Sequence, residues 1–316
     1  MTPCVNDWQL VTPHLCALGE SPFWHPLEQA LYWVDIPGRQ MLRANIYMGS
    51  VEVWDLPSEP GCIAPAAKGG WVIALRSGVF RAKTWKGELT HLATLDYDPT
   101  HMRANDGKCD ALGRLWIGTL DETKLARNAA LYTLDCRSDT PILTQQTDPA
   151  SLPATTANGL AWSPDNRTLY WADTPSHTVH AWDFDLDQGT LSGHRSFAQF
   201  DAKPAGWKFH PAEHNEGYRG RPDGAAVDVQ GNYFVAMFEG RRLCQLAPDG
   251  RLLAEWPTPA QCPTMPCFGG EDLKTLFITT ARHGRGAAEL AQFPQSGGVF
   301  SMRVEVAGLP AKLFRD

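Results

Sequence analysis

The amino-acid sequence predicts an all-β fold, a six-bladed β-propeller with a metal site in its central channel. Three observations support this prediction. A pattern of short strands recurs six times along 316 residues, helical periodicity is nearly absent, and four polar residues occupy the same place in their repeats. These anchor residues are Glu20, Asn105, Asn158 and Asp223.

The repeat has four parts: an anchor residue, a short apolar strand, a turn rich in proline and polar residues, and a strand that ends Tyr-Trp-x-Asp in its fullest form. Two copies are complete, two have a shorter x-x-Gly turn, and two are weak. The strand cores lie 38 to 63 residues apart, which suits four-stranded blades of roughly 40–50 residues, two of them with long insertions. The six copies occupy residues 19–35, 61–74, 105–118, 158–173, 223–236 and 265–279.

Further short strands are predicted between the copies, because these segments are β-branched or aromatic and bounded by Gly, Pro, Asp or Asn. Residues 122–130 come nearest to a helical pattern and are assigned to a loop. No linker composition divides the chain, so we expect one domain over residues 1–316. We expect an N-terminal strand within residues 8–17 to close the ring beside the C-terminal blade. The predicted outer strands are 41–45, 51–56, 79–81, 130–134, 179–184, 241–246 and 298–304.

Composition narrows the possible partners and compartments. An apolar content of 43%, with 12 Trp and 13 Phe, is ample for a core, and a net charge of −7 disfavours nucleic acid and anionic membranes. The first residues lack a secretory signal pattern, and no apolar stretch is long enough to span a bilayer. The eight cysteines show no C-x-x-C spacing, which favours reduced, buried thiols in a cytoplasmic protein.

The spacing of the anchors is the main pointer to function. Each anchor stands 11 to 13 residues before the core of its strand, so a radial arrangement would bring all four to one axis. Carboxylate and amide oxygens that converge there can bind a divalent cation. Taken singly, three anchors belong to glycine-containing turn sequences, and Glu20 could be an ordinary exposed acid. A turn does not require polar residues at the same position of other repeats, however, whereas a metal site does, and this favours the metal site.

Two groups of histidines are weaker candidates. His210 and His214 enclose Glu213 in a pattern loosely similar to a zinc-protease helix, but the acid is misplaced and a proline opposes the helix. His177 and His180 lie between two predicted strands, where we expect them at the surface.

Six segments resemble the SMP-30/gluconolactonase/regucalcin family, in the family's order and across nearly the whole chain. The resemblance implies a six-bladed propeller with one divalent metal in the channel, and it is to the bacterial members that hydrolyse sugar lactones. The segments are LGESPFW (18–24), RANDGKCDALGRLWIGT (103–119), NGLAWSPDNRTLYWAD (158–173), PDGAAVD (222–228), CFGG (267–270) and GGVF (297–300).

The resemblance also implies roles for single residues. Glu20, Asn158 and Asp223 match the protein ligands of the metal, and Asn105 matches an amide that lies near the metal and faces substrate. The ion could be Ca²⁺, Mg²⁺ or Mn²⁺, which prefer oxygen ligands, while Zn²⁺ and Fe²⁺ stay open.

Three further residues concern the substrate. Arg103 matches an arginine that binds sugar hydroxyls or lactone oxygens, and an acid is expected shortly after the Gly-Thr pair. Asp121 and Glu122 both fit that position, with Glu122 favoured as the hydroxyl acceptor. The inserted segments 137–157 and 199–221 are expected to form the rim of the site, where they would either set specificity or touch a neighbouring subunit.

The chemistry that follows is metal-assisted hydrolysis of an aldonolactone, with Asp223 as general base. We expect a small-molecule sugar lactone as partner, no nucleic acid or membrane, and a monomer or weak homo-oligomer. Three alternatives stay open at this point. They are a phosphotriesterase-like hydrolase on the same scaffold, a non-catalytic calcium-binding regulatory propeller, and a protein-interaction ring.

Overall fold

The predicted all-β propeller is confirmed. The computed structural model describes residues 7–211 and 217–316, and it contains six four-stranded antiparallel sheets. The innermost strands of adjacent sheets pack against each other in one closed circle around a central channel. Among the described residues, no helix is long and apolar enough to cross a bilayer.

The strands follow one another blade by blade, each blade beginning at the channel. The short strand β1 (Gln9–Leu10) precedes the first blade. Blade 1 contains β2 (Gly19–His25), β3 (Ala30–Asp35), β4 (Gln40–Asn45) and β5 (Ser50–Asp55); blade 2 contains β6 (Pro60–Pro65), β7 (Trp71–Leu75), β8 (Gly78–Ala82) and β9 (Leu89–Thr94); blade 3 contains β10 (Met102–Cys109), β11 (Leu115–Asp121), β12 (Leu131–Asp135) and β13 (Ile142–Gln145).

The second half of the chain repeats this order. Blade 4 contains β14 (Ala157–Trp162), β15 (Thr168–Asp173), β16 (Thr178–Asp185) and β17 (Thr190–Gln199); blade 5 contains β18 (Arg221–Val227), β19 (Tyr233–Phe238), β20 (Arg242–Leu246) and β21 (Leu252–Pro257); blade 6 contains β22 (Pro263–Gly269), β23 (Thr275–Thr280) and β24 (Phe300–Arg303). The fourth strand of blade 6 is β1, in which Gln9 pairs with Ser301 and Leu10 with Phe300. The two ends of the chain are thereby joined in one sheet.

The repeated Tyr-Trp dipeptide is explained by burial on both faces of a blade. Successive residues of a strand point to opposite faces. Tyr32 packs into the core between blades 1 and 2, whereas Trp33 packs into the core between blades 1 and 6. Tyr170 and Trp171 divide in the same way between the neighbours of blade 4. Each such side chain contributes about 1.5–3 kcal/mol on burial, so the dipeptide holds two blade interfaces at once.

Three local features differ from the prediction. A helix, α1 (Ala287–Gln292), follows β23 where none was expected. The insertion 137–157 is not all rim loop, because β13 forms the outer strand of blade 3 within it. The fourth strands β9 and β17 were also not predicted. Their side chains are largely exposed or half-buried, so they lack the apolar alternation by which a strand is recognised in sequence.

The channel is closed at the end where the inner strands finish. The C-terminal segment crosses this end, and Leu309 N donates to Val227 O (3.0 Å) while Phe314 N donates to Pro65 O (2.8 Å). Phe314 is fully buried. Between this segment and the hub lies a mainly apolar cavity of about 120 Å³, lined by residues of all six inner strands. Access to the hub is therefore from the opposite end, which we call the mouth.

Candidate active site

All four anchor residues lie near the mouth end of an inner strand, at a break in its pairing. The register shifts directly after Glu20, after Asn158, and around Asn105 and Asp223. Such bulges bend a strand and redirect its side chains. The turn interpretation of these sequences is wrong: they are strand residues, and their glycines serve the bulges.

The bulges place unusual backbone conformations beside the anchors. Ser21 has a φ of 48° and Gly159 a φ of 62°, both in the left-handed region. Ser21 N donates to Glu20 Oε2 (3.0 Å), and Ser21 Oγ accepts from Ile63 N in the next blade (3.0 Å). A Cβ on Gly159 would lie 2.3 Å from the Tyr233 hydroxyl, so the backbone approaches its neighbour too closely for any other residue.

Hydrogen bonds fix the two amide side chains. Asn105 Nδ2 donates to Asn158 Oδ1 and to Ala157 O, both at 2.8 Å. Asn158 Nδ2 donates to Thr174 Oγ1 (2.8 Å), and Asn105 Oδ1 accepts from Arg103 Nη1 (2.7 Å). The two anchors are therefore in direct contact, and Asn158 Oδ1 has one lone pair left for another partner.

The acidic anchors are buried and repel each other. Glu20 and Asp223 are 7% and 6% exposed. Burial, followed by the charges of Asp223 and Asp106, raises the pKa of Glu20 well above its ordinary value. Burial, followed by the charge of Asp106, does the same to the pKa of Asp223, against a smaller opposing effect of Arg221. A cation placed between these carboxylates would remove the repulsion.

The donor set fits a hard divalent cation. No group of three or more His, Cys, Asp or Glu side chains that could hold an ion occurs in residues 7–211 and 217–316. The amide oxygen of Asn158 would therefore have to join the carboxylates of Glu20 and Asp223. Oxygen ligands of this kind are those of Ca²⁺, Mg²⁺ and Mn²⁺.

Arg103 lies at the mouth, where a hydrogen bond and a contact with an acidic side chain hold its guanidinium in place. It is 8% exposed, its Nη1 donates to Ala104 O (3.0 Å), and its Nε lies 3.5 Å from Glu122 Oε1. Glu122 is fixed in turn by Arg76, whose Nη1 lies 2.9 Å from Glu122 Oε2. Arg76 also pairs with Glu59 (2.9 Å). This network from blades 2 and 3 orients the Arg103 guanidinium.

The structure separates the two acids that the sequence left open. Asp121 is buried, and its oxygens accept hydrogen bonds from the backbone N–H groups of Thr123, Ala126 and Arg127 and from the Thr123 hydroxyl. It is thus occupied by its own loop. Glu122 is the acid beside Arg103.

Sequence reasoning missed two charged residues below the anchors. Lys108 Nζ donates to Leu160 O (2.8 Å) and to Ala225 O, which ties blade 3 to blades 4 and 5. Asp106 Oδ2 accepts from Leu160 N (2.9 Å), while its buried Oδ1 has no hydrogen-bond partner among the described residues. Both residues lie in the segment NDGKCD. The bulge there interrupts the alternation of inward and outward side chains, so the sequence pattern does not show which way these two point.

The structure describes three of the four candidate histidines, and it buries one that was predicted to lie at the surface. His177 is 5% exposed rather than on the surface, and its Nε2 lies 3.1 Å from the Tyr218 hydroxyl. His180 contacts His194 on the outer strands of blade 4, with 3.1 Å between ring nitrogens. Glu213 and His214 lie outside the described residues.

Comparison with known proteins supplies independent evidence. A family model described as the SMP-30/gluconolactonase/LRE-like region matches residues 18–282. A 6-deoxy-6-sulfogluconolactonase from Pseudomonas putida is 39% identical over 300 residues, 94% of each chain. Regucalcin from Gallus gallus is 33% identical over 301 residues, 93% of each chain. The solved structure of a calcium-binding regucalcin from Agrobacterium tumefaciens strain C58 matches with a TM-score of 0.85 and 25% identity, covering 97% of each chain.

Proposed function

The chain belongs to the SMP-30/gluconolactonase/LRE-like family, and from this premise we propose that it hydrolyses a sugar lactone to the aldonic acid with the help of a divalent cation. The family resemblance inferred from the sequence is thereby confirmed. Two observations support the proposal: the charge of Asp223 acts on the buried Glu20, and the amides of Asn105 and Asn158, which lie at the corresponding bulges of their inner strands, are hydrogen-bonded. The relative from Pseudomonas putida, named as a sugar lactonase, supports the same reaction class.

Glu20, Asn158 and Asp223 would hold the cation. When bound, such an ion supplies Lewis-acid polarisation of a carbonyl oxygen and lowers the pKa of water. Three protein donors would leave coordination positions for both the carbonyl oxygen and water. The repulsion between the buried carboxylates supports an ion at this place, because their burial is otherwise unfavourable.

Asp223 would act as the general base. A lactone is hydrolysed when water attacks its carbonyl carbon and the ring C–O bond breaks. The attacking water must lose a proton, and the ring oxygen must gain one. In its charged form the Asp223 carboxylate can accept the proton from water and return it to the ring oxygen.

Arg103, Asn105 and Glu122 would orient the sugar. The guanidinium of Arg103 presents a planar set of donors that suits hydroxyl groups or the carboxylate of the product. The ion pair with Glu122 restricts this guanidinium to one orientation, and Glu122, partly exposed, can also accept a bond from a hydroxyl. The amide of Asn105 links this binding layer to Asn158.

A pH-indicator assay with a panel of sugar lactones tests the proposal. We expect turnover by the wild type, loss of activity with a chelator, and recovery when Ca²⁺, Mn²⁺, Mg²⁺ or Zn²⁺ is returned separately. The variant Asp223→Asn should lose at least about 100-fold in kcat, as typical for a general base, while it stays folded. The exposed Asp187→Asn is the matched control.

Two results would count against the proposal. Near-native turnover by Asp223→Asn would show that this residue is not the general base. Turnover that persists with a chelator would show that the reaction does not need the cation. A phosphotriester included in the same panel tests the related hydrolase activity.

Calcium binding without turnover is the second candidate. It is favoured by the similarity to a regucalcin described as a calcium-binding protein. In that case calorimetry would detect Ca²⁺ binding that requires Glu20 and Asp223, while every lactone of the panel would remain intact.

A further inference from the structure

A second arginine stands at the mouth in the same relation to its anchor as Arg103. Arg221 precedes Asp223 by two residues on β18, as Arg103 precedes Asn105 on β10. Arg221 is the first residue of β18 and pairs with Phe238 ahead of the bulge that contains Asp223. It lies two residues nearer to the mouth than Asp223, a step of about 6.6–6.8 Å on a regular strand. Its charge acts on Asp223, lowering the pKa that burial raises.

Arg221 has unused hydrogen-bonding capacity. Its buried Nε has no hydrogen-bond partner among the described residues. Its Nη2 lies 3.5 Å from Glu239 Oε2, an ionic contact. The guanidinium carbon lies 5.4 Å from the centroid of the Phe238 ring, which supports the plane of the group from one side. A buried N–H without an acceptor is unfavourable, so this group is prepared for a ligand.

Arg221 shares its acidic partner, Glu239, with two other cations. Glu239 is 3% exposed, and Lys203 Nζ and Arg285 Nη1 approach it to 2.8 and 3.0 Å. Arg285 also pairs with Glu289 (2.7 Å). With Asp223, on which the charge of Arg221 acts, three cationic and three acidic groups meet here, and three cations share the one carboxylate of Glu239. Arg221 is the cation that lies farthest from the shared carboxylate.

We propose that Arg221 forms an anion-binding subsite and that the preferred lactone carries a tetrahedral oxyanion, such as a sulfonate or phosphate, at the end remote from its carbonyl. This inference rests on the proposed lactonase function. The step between the two levels is about 6.6–6.8 Å, which is longer than the sugar ring alone spans, so only a substituent that extends beyond the exocyclic carbon would reach from one level to the other. A carbonyl held at the level of Asp223 would thus present its far substituent to Arg221.

The test compares charged and neutral lactones. Values of kcat/KM are measured for gluconolactone, 6-deoxy-6-sulfogluconolactone and 6-phosphogluconolactone with the wild type, Arg221→Met and Arg219→Met. Arg219 is the matched control, because it is exposed and pairs with Glu255 away from the channel. We expect the wild type to prefer a charged lactone, and Arg221→Met to reduce the charged-to-neutral ratio about 10- to 100-fold. Arg219→Met should leave the ratio unchanged.

A conservative variant protects the test against misfolding. Arg221→Lys keeps the charge but lacks the Nε–H, so its ratio should lie between those of the wild type and Arg221→Met. The sulfonated and phosphorylated substrates show which anion fits. A wild-type preference for gluconolactone, or an equal ratio in Arg221→Met and the wild type, would overturn the subsite.

The subsite can also be tested without turnover. If the wild type hydrolyses none of the three lactones, the proposed function fails, and calorimetry with 6-deoxy-6-sulfogluconate and gluconate then decides about Arg221 alone. Tighter binding of the sulfonate by the wild type, lost in Arg221→Met, would support the subsite. Equal binding of the two acids would refute it.

Discussion

Replacement of Lys108 by Met should destabilise the hub of the propeller. Met has a similar length but no donor, so the carbonyl oxygens of Leu160 and Ala225 would lose their bonds to the ammonium. Hydrogen bonds to charged groups contribute about 1.5–3 kcal/mol each. Lys108 is only partly buried and faces the channel cavity, so hydration would offset part of the loss. We expect destabilisation by about 2–4 kcal/mol, or about 3–6 °C in Tm for a chain of 316 residues.

The loss should depend on pH. Burial raises the pKa of Asp106, and the charge of Lys108 opposes this rise. Without the ammonium, the pKa of Asp106 in the folded state would rise further. The folded protein would then hold a proton that the unfolded chain releases near pH ~4, so stability would fall as pH rises from there toward the folded pKa. The deficit of Lys108→Met should therefore be smaller at pH 5 than at pH 8.

Thermal unfolding followed by circular dichroism, with chelator present, measures both effects. The exposed Lys83→Met is the matched control. The double variant Asp106→Asn/Lys108→Met should recover part of the loss, because the buried carboxylate is removed together with its partner. A Tm equal to that of Lys83→Met, or a deficit that is the same at both pH values, would refute the role assigned to Lys108.

Two further predictions concern the ion and the mouth. A cation that binds the folded chain should raise stability by about 2.7 kcal/mol at a concentration of 100 times its Kd, seen as a Ca²⁺-dependent rise in Tm; a Tm that does not change would exclude such a site. Gly61→Ala should lower both Tm and turnover, because its Cβ would lie 2.4 Å from the carbonyl carbon of Ala104 and push β10 away from the axis. Gly286→Ala, with open space around its Cβ, should have little effect, and equal behaviour of the two variants would contradict the packing argument.

The fold could be predicted from the sequence because its core is built from local signals. Each blade is buried on both faces, so its second strand must carry large apolar side chains at successive positions, as Tyr32 and Trp33 do. The outer strands could not be predicted equally well. Most side chains of β13 and β17 are exposed or half-buried, and such strands are specified by pairing with a neighbour rather than by their own composition.

The candidate site was only partly accessible from sequence. The anchors could be found because they occupy the same position in their repeats, and equivalent positions of a closed ring lie at the same height along its axis. Repeat position gives no information about residues that reach the site from a different part of a blade. Arg76 lies beyond β7, and it orients Arg103 only through Glu122 in the next blade. The residues of this network are far apart in the sequence, so no spacing along the chain predicts their contacts.

In the proposed assignment, the bulges divide chemistry and selectivity into separate layers. Arg103 and Arg221 pair regularly ahead of the bulges, whereas Asn105 and Asp223, two residues further along, lie within them. Beyond the bulge the alternation is broken, and Lys108 meets the carbonyls of neighbouring blades. Each layer thus uses a different position of the same repeat. Under the proposed lactonase function, a new substituent on the sugar would be matched at the position ahead of one bulge, without moving the strands that carry the acids and amides.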